Sequence, residues 1–285
     1  MISSPLDQLK DASPALRLRI KLVVYSLLLI NFALYVMMDW TTSGHTLFAG
    51  STLLDWTRAF AVTIEESAWI TMLALFEVET YLLAKNALSH RQSQVMQLVR
   101  IVCYLSLGHT LYAYSVYLQE INSAVLIQGV NSLCQLVEQD VSYAYNLLYT
   151  EVTADNCATL STANQFYYID PPTFFIVQDS AGLDIELQHA WVDLAEITSW
   201  LLILFCIEVA VRLQDRGIVG GPIILVLARI KLLLYSVLWL FIIFWLSLGH
   251  YMFAWDEFVW IAGFFVIEMN MRAWRKQIIE ANQAA

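Results

Sequence analysis

Acids placed at one repeated spacing are the first residues in this chain that could do chemistry. Glu65, Trp69 and Glu77, then Glu196, Trp200 and Glu208, then Asp256, Trp260 and Glu268 each read acid-x3-Trp-x7-Glu. The two acids of each set are separated by about 18 Å if the segment is helical. A hydrocarbon core is about 30 Å thick, so in a membrane-crossing helix at least one acid of each pair lies within or beside the apolar depth. A charge there is costly unless it is paired, protonated or turned to an aqueous interior. Glu65, Glu196, Asp256, Glu77, Glu208 and Glu268 are therefore the candidate ion-pathway residues.

Three histidines form a second set. Gly44-His45-Thr46-Leu47-Phe48-Ala49, Gly108-His109-Thr110-Leu111-Tyr112-Ala113 and Gly249-His250-Tyr251-Met252-Phe253-Ala254 share the pattern Gly-His-x-[Leu/Met]-aromatic-Ala. If His45, His109 and His250 converge, three imidazoles are a donor set for zinc or copper, or a set of proton-titrating groups. The structural alternative is that Gly-His ends a helix, the imidazole bonding to the last carbonyls.

Composition says what positions these residues. Of 285 residues 59% are hydrophobic and only 14% charged, which points away from a soluble globular domain and toward membrane-spanning helices. Apolar runs near 20–40, 60–84, 95–118, 190–211, 229–250 and 254–271 have the length a helical span requires. The fold class expected is thus an all-α membrane protein of six transmembrane helices, its partner the lipid bilayer. Basic residues set the orientation. Lys10, Arg17, Arg19 and Lys21 precede the first run, Lys85 and Arg91 follow the second, Arg212 and Arg216 the fourth, and Arg272, Arg275 and Lys276 the sixth. From Ile101 to Val211 there is no Lys or Arg beside a dozen acids, and Arg58 is the one basic residue on the other face. This predicts cytoplasmic termini in a plasma membrane of bacterial inner-membrane type. Asp7 and Asp11 in the first polar stretch argue against a cleaved leader.

The spacing predicts three equivalent hairpins, 19–85, 91–212 and 229–276, about a pseudo-three-fold axis within a single membrane domain. Arg19-Ile20-Lys21-Leu22 with Tyr25-Ser26 is echoed by Arg229-Ile230-Lys231-Leu232 with Tyr235-Ser236; Arg100 fits that element poorly and is expected deep in the membrane. For the inner acids Glu208–Arg212 and Glu268–Arg272 are favourable i, i+4 pairs, whereas Glu77 needs Arg19, Arg100 or Arg229 from another helix. Segment 119–189 reads as a folded extracytoplasmic cap inserted in the second hairpin and closed by a Cys134–Cys157 disulfide. Cys103 and Cys206 read as packing residues, and Trp69, Trp200 and Trp260 as an interfacial belt or packing.

Three functions are compatible with this pattern: a channel or transporter for protons or metal ions, a non-catalytic subunit or assembly factor whose cap docks a protein partner, and a membrane metalloprotein with a three-His site. No nucleotide or nucleic-acid motif and no catalytic triad order is present.

Overall fold

The computed structural model describes residues 14–84, 89–170, 173–218 and 220–284. Lys10, Asp7, Asp11 and Lys85 lie outside them, as do the side chains of Arg17, Arg272, Arg275 and Lys276. The chain is mostly helical, and each of the apolar runs falls in a helix: α1 Pro14–Thr46, α3 Ala61–Ala84, α4 His90–Asn122, α6 Ser180–Asp215, α7 Pro222–Ser247 and α8 Tyr251–Ala284. A short helix α2, Leu53–Ala59, precedes α3, and α5 is the single turn Cys157–Leu160. Gly249, at φ +80°, ends α7 in a left-handed conformation that favours glycine. Among the described residues three segments are long and apolar enough to cross a membrane, Leu18–Thr46, Ser180–Gln214 and Pro222–Ser247; α2 with α3 makes a fourth if the 68° bend between them is part of one span.

The all-α expectation needs correction. Between α4 and α6 the chain forms a five-stranded sheet in the order β1-β4-β5-β2-β3, with β1 Val125–Leu126, β2 Ser142–Tyr145, β3 Leu148–Glu151, β4 Phe166–Tyr168 and β5 Ile176–Asp179. Alternate residues of these short strands pack to opposite faces of the sheet. Tyr143 and Val177 turn to one face, where they pack with Leu133, Leu136, Phe166 and Val152. Ala144 and Ile176 turn to the other, against Ile121 at the end of α4. Cys134 and Cys157 are joined, their Cα atoms 4.8 Å apart across 23 positions of sequence; closing a loop of that size contributes about 3 kcal/mol in the chain-entropy model. Cys103 and Cys206 are free and buried.

The described contacts divide the chain into two compact units, one of Met1–Leu34, Glu66–Ser106 and Ser199–Ala285, the other of Tyr35–Glu65 and Leu107–Thr198. The second unit holds the sheet, and its joint with α6 is Asp179. The Asp179 carboxylate caps the helix by accepting from Gly182 N at 2.8 Å, and also accepts from Tyr143 Oη at 2.7 Å and Ser161 Oγ at 2.5 Å. Burial alone would raise its pKa, but these hydrogen bonds together hold it below the ordinary carboxylate value.

A carboxyl depressed by folding adds stability that is full above the unfolded pKa of about 3.9 and is lost as pH falls through the folded value. Asp179→Asn is therefore expected to show a shallower loss of thermal stability on acidification below about pH 4 than the wild type. Asp179→Ala is expected to lose about 1 kcal/mol at neutral pH as well, both read by circular dichroism of the solubilised protein.

Candidate functional site

In the first unit the sequence-matched acids and tryptophans meet. Trp69 lies 6.3 Å from Trp200 and 6.2 Å from Trp260, and Phe264 sits 4.9 Å from Trp200. All three indoles are buried, so they form a packed cluster and not an interfacial belt. Trp260 Nε1 donates to Glu66 at 2.7 Å and Trp200 Nε1 to Glu257 at 3.1 Å. Both acceptors are buried carboxylates three residues before a tryptophan of the cluster; the third such position is Ile197, which offers no acceptor. Asn31, fully buried, donates to Asp256 and, at 3.5 Å, to Glu66.

The inner acids are ion-paired. Lys21 Nζ stands 2.5 Å from Glu77, which also accepts from Tyr25 Oη at 2.7 Å. Arg100 bridges Glu79 at 2.5 Å and Glu208 at 3.2 Å, its guanidinium 5.8 Å from the centre of the Phe76 ring. Lys231 holds Glu268. The partner of Glu77 is thus Lys21, not Arg19, Arg100 or Arg229, because Lys21 stands two residues beyond Arg19 and so on another side of the helix. Glu208 also reaches Arg212 at 3.7 Å, but Arg212 is 70% exposed and Arg100 only 14%, so Arg100 is the stronger partner. In each case a tyrosine follows four residues after the cation: Tyr25, Tyr104 and Tyr235. Tyr104 hydrogen-bonds Glu208, and Tyr235 lies within electrostatic reach of Glu268. This cation-x3-Tyr pattern was readable, and taking Arg19 and Arg229 as its anchors hid it.

The second unit forms an open-mouthed cavity of about 380 Å³ whose charged lining is Asp55, Glu120, Asp170, Asp193 and Arg58. Tyr114, Tyr117 and Tyr149 supply its aromatic wall, and Val62, Ala113, Leu147, Ile169 and Ile176 are among its apolar lining. Glu196, Glu186 and Glu65 all lie within electrostatic reach of Asp193. Glu65 and Glu196, two of the outer acids, belong to the second unit, and Asp256 to the first. Asp39 accepts from Thr63 N at 2.8 Å and Thr63 Oγ1 at 2.7 Å, capping the first turn of α3 after the bend. Sequence reasoning missed Glu186, His189 and Asp193. Their signal was the spacing Glu186-x2-His189-x3-Asp193-x2-Glu196, a polar stripe along one side of an apolar helix.

The histidines have separate surroundings. His45 Nδ1 is 2.9 Å from Ser142 Oγ and its ring stacks on Tyr149; His109 lies inside α4 beside Tyr112, not at a helix end; His250 packs on Trp245 and Phe253. Among the described residues no group of three His, Cys, Asp or Glu is disposed to hold a metal ion. No family model matches the chain, and no curated protein or solved structure matches it.

Removing one partner of a buried ion pair strands the other charge. Arg100→Met, which removes the buried cation shared by Glu79 and Glu208, is expected to lower unfolding stability by about 3 kcal/mol, and Lys21→Met, at a more exposed pair, by less; thermal melts of the purified variants in detergent compare them.

Proposed function

We propose that the protein is a polytopic membrane protein that moves a cation across the bilayer, with the acid-rich cavity of the second unit as the point of cation entry. The observation that carries this reading is the charge of that cavity: four carboxylates line it against one cation, Arg58, and Arg58 is already held by Glu120 at 2.5 Å. A cleft wall dominated by one sign of charge concentrates counter-ions. In this reading the apolar helices cross six times with both termini cytoplasmic, and the sheet lies outside, where a disulfide persists. The hairpins 19–85, 91–212 and 229–276 are descendants of one unit. Support for that comes from the matched pairs Lys21–Glu77, Arg100–Glu208 and Lys231–Glu268 and from the convergence of Trp69, Trp200 and Trp260. The inner glutamates then act mainly as ties between helices, and the outer acids Glu65 and Glu196 with Asp193 carry the cation.

Wild-type protein in proteoliposomes is expected to pass protons down an imposed pH gradient, and the triple variant Glu65→Gln, Glu196→Gln, Asp193→Asn to pass at least tenfold fewer. No flux from the wild type, or the same flux from the variant, sinks the reading; an internal pH dye measures both.

A second reading, a subunit that docks a partner through the outer sheet, is favoured by the edge strand β3, whose Leu148 is 73% exposed. Leu148→Lys is expected to abolish co-purification of a stoichiometric partner after mild solubilisation if that reading holds; retention of the same partner by the variant would count against it.

A further inference from the structure

The four carboxylates of the cavity are not equivalent. Asp55 is engaged by its own helix start, accepting from Thr52 N at 2.7 Å and Thr52 Oγ1 at 2.8 Å. Glu120 holds Arg58. Asp170 ties its loop, accepting from Phe175 N at 2.9 Å and Ile176 N at 3.0 Å as well as from Thr173. Asp193 makes no hydrogen bond or ion pair to any of the described residues. It stands in the cavity wall with Glu65, Glu186 and Glu196 acting on it, a setting that calls for a positive partner.

The wall around it selects the kind of cation. A metal ion asks for several oxygen or nitrogen donors converging on one point, and no such group exists among the described residues. Here a single unengaged carboxylate faces tyrosine rings and aliphatic side chains. Tyr117 is fixed by Glu186 and Tyr149 by His45, so these rings are held in place before any ligand arrives. One acid in an aromatic and aliphatic pocket suits an organic ammonium ion, whose charge meets the carboxylate and ring faces while its hydrocarbon body lies on the apolar lining. A volume of about 380 Å³ accommodates a small molecule of that kind.

The geometry points to an organic-amine site in the cavity of the second unit, with Asp193 as the counter-charge and Tyr114, Tyr117 and Tyr149 as the walls. This rests on the cation reading above and names the cation. The site recognises a monovalent ammonium bearing an apolar or aromatic body, and the neutral isostere of such a molecule lacks the charge that holds it.

The test is calorimetric titration of the full-length protein in nanodiscs with 2-phenylethylammonium and, separately, with 2-phenylethanol. The amine is expected to bind saturably and at least tenfold more tightly than the alcohol. Asp193→Asn is expected to reduce amine affinity at least tenfold while leaving the alcohol unchanged, and Asp193→Glu to retain most of it. Equal binding of amine and alcohol by the wild type overturns the proposal without recourse to any variant. So does undiminished amine binding by Asp193→Asn. Proton flux without amine binding removes this site and leaves the transport reading standing, whereas amine binding without flux supports the site and removes transport.

Discussion

A carboxylate cannot stay charged and alone in a low-dielectric surrounding, and this chain carries 25 acids against 15 basic residues in a largely apolar sequence. Much of the polar architecture follows from how that conflict is met. Where a cation is within reach, the acid takes it, as Glu77, Glu208 and Glu268 take Lys21, Arg100 and Lys231. Elsewhere neutral donors serve: indole N–H groups donate to Glu66 and Glu257, an amide to Asp256, a phenol to Glu186, and the start of a helix to Asp39. Charge-assisted hydrogen bonds of this sort offset desolvation in a way that van der Waals contacts cannot.

The first unit uses both modes and the second mainly the neutral one. The cation pairs of Glu77, Glu208 and Glu268 sit in the first unit together with the tryptophan cluster, whose large indoles fill space and at the same time present donors. In the second unit nearly all the positive charge is Arg58, spent on Glu120, and tyrosines carry the donor role. Tyr143, beside Asp179, is held protonated well above its ordinary range by burial and by that carboxylate, so it remains a donor at any physiological pH. Asp193 is the residue this scheme of donors does not reach.

Much of the helical frame was legible because apolar run length and bilayer thickness are tightly linked. The recurrence of acid, tryptophan and glutamate at one spacing also identified residues that meet, because that spacing keeps a helical face constant. Legibility failed in four places for separate reasons. The sheet was read only as a folded cap, since its strands are two to four residues long and carry too little periodicity to separate from loop. For Glu77 the sequence offered Arg19, Arg100 or Arg229, because similarity centred on the arginines, whereas side-chain direction favours Lys21. The histidine pattern matched in letters but not in place: His45 closes a helix, His250 follows a break, and His109 sits in mid-helix. Asp193 went unnoticed because it belongs to no repeat.

Asp179 also constrains how the molecule is made. It caps α6, yet two of the groups that hold it, Tyr143 and Ser161, come from earlier in the chain, and β5, which ends on it, lies between β4 and the parallel partner β2. The cap on this long apolar helix is therefore complete only after the preceding strands have gathered around β5. Synthesis proceeds from the N-terminus, so β2 and β4 emerge first and wait for β5. The start of α6 is thereby timed to the closing of the sheet, and a chain arrested before residue 179 has a sheet missing the strand that joins its two halves.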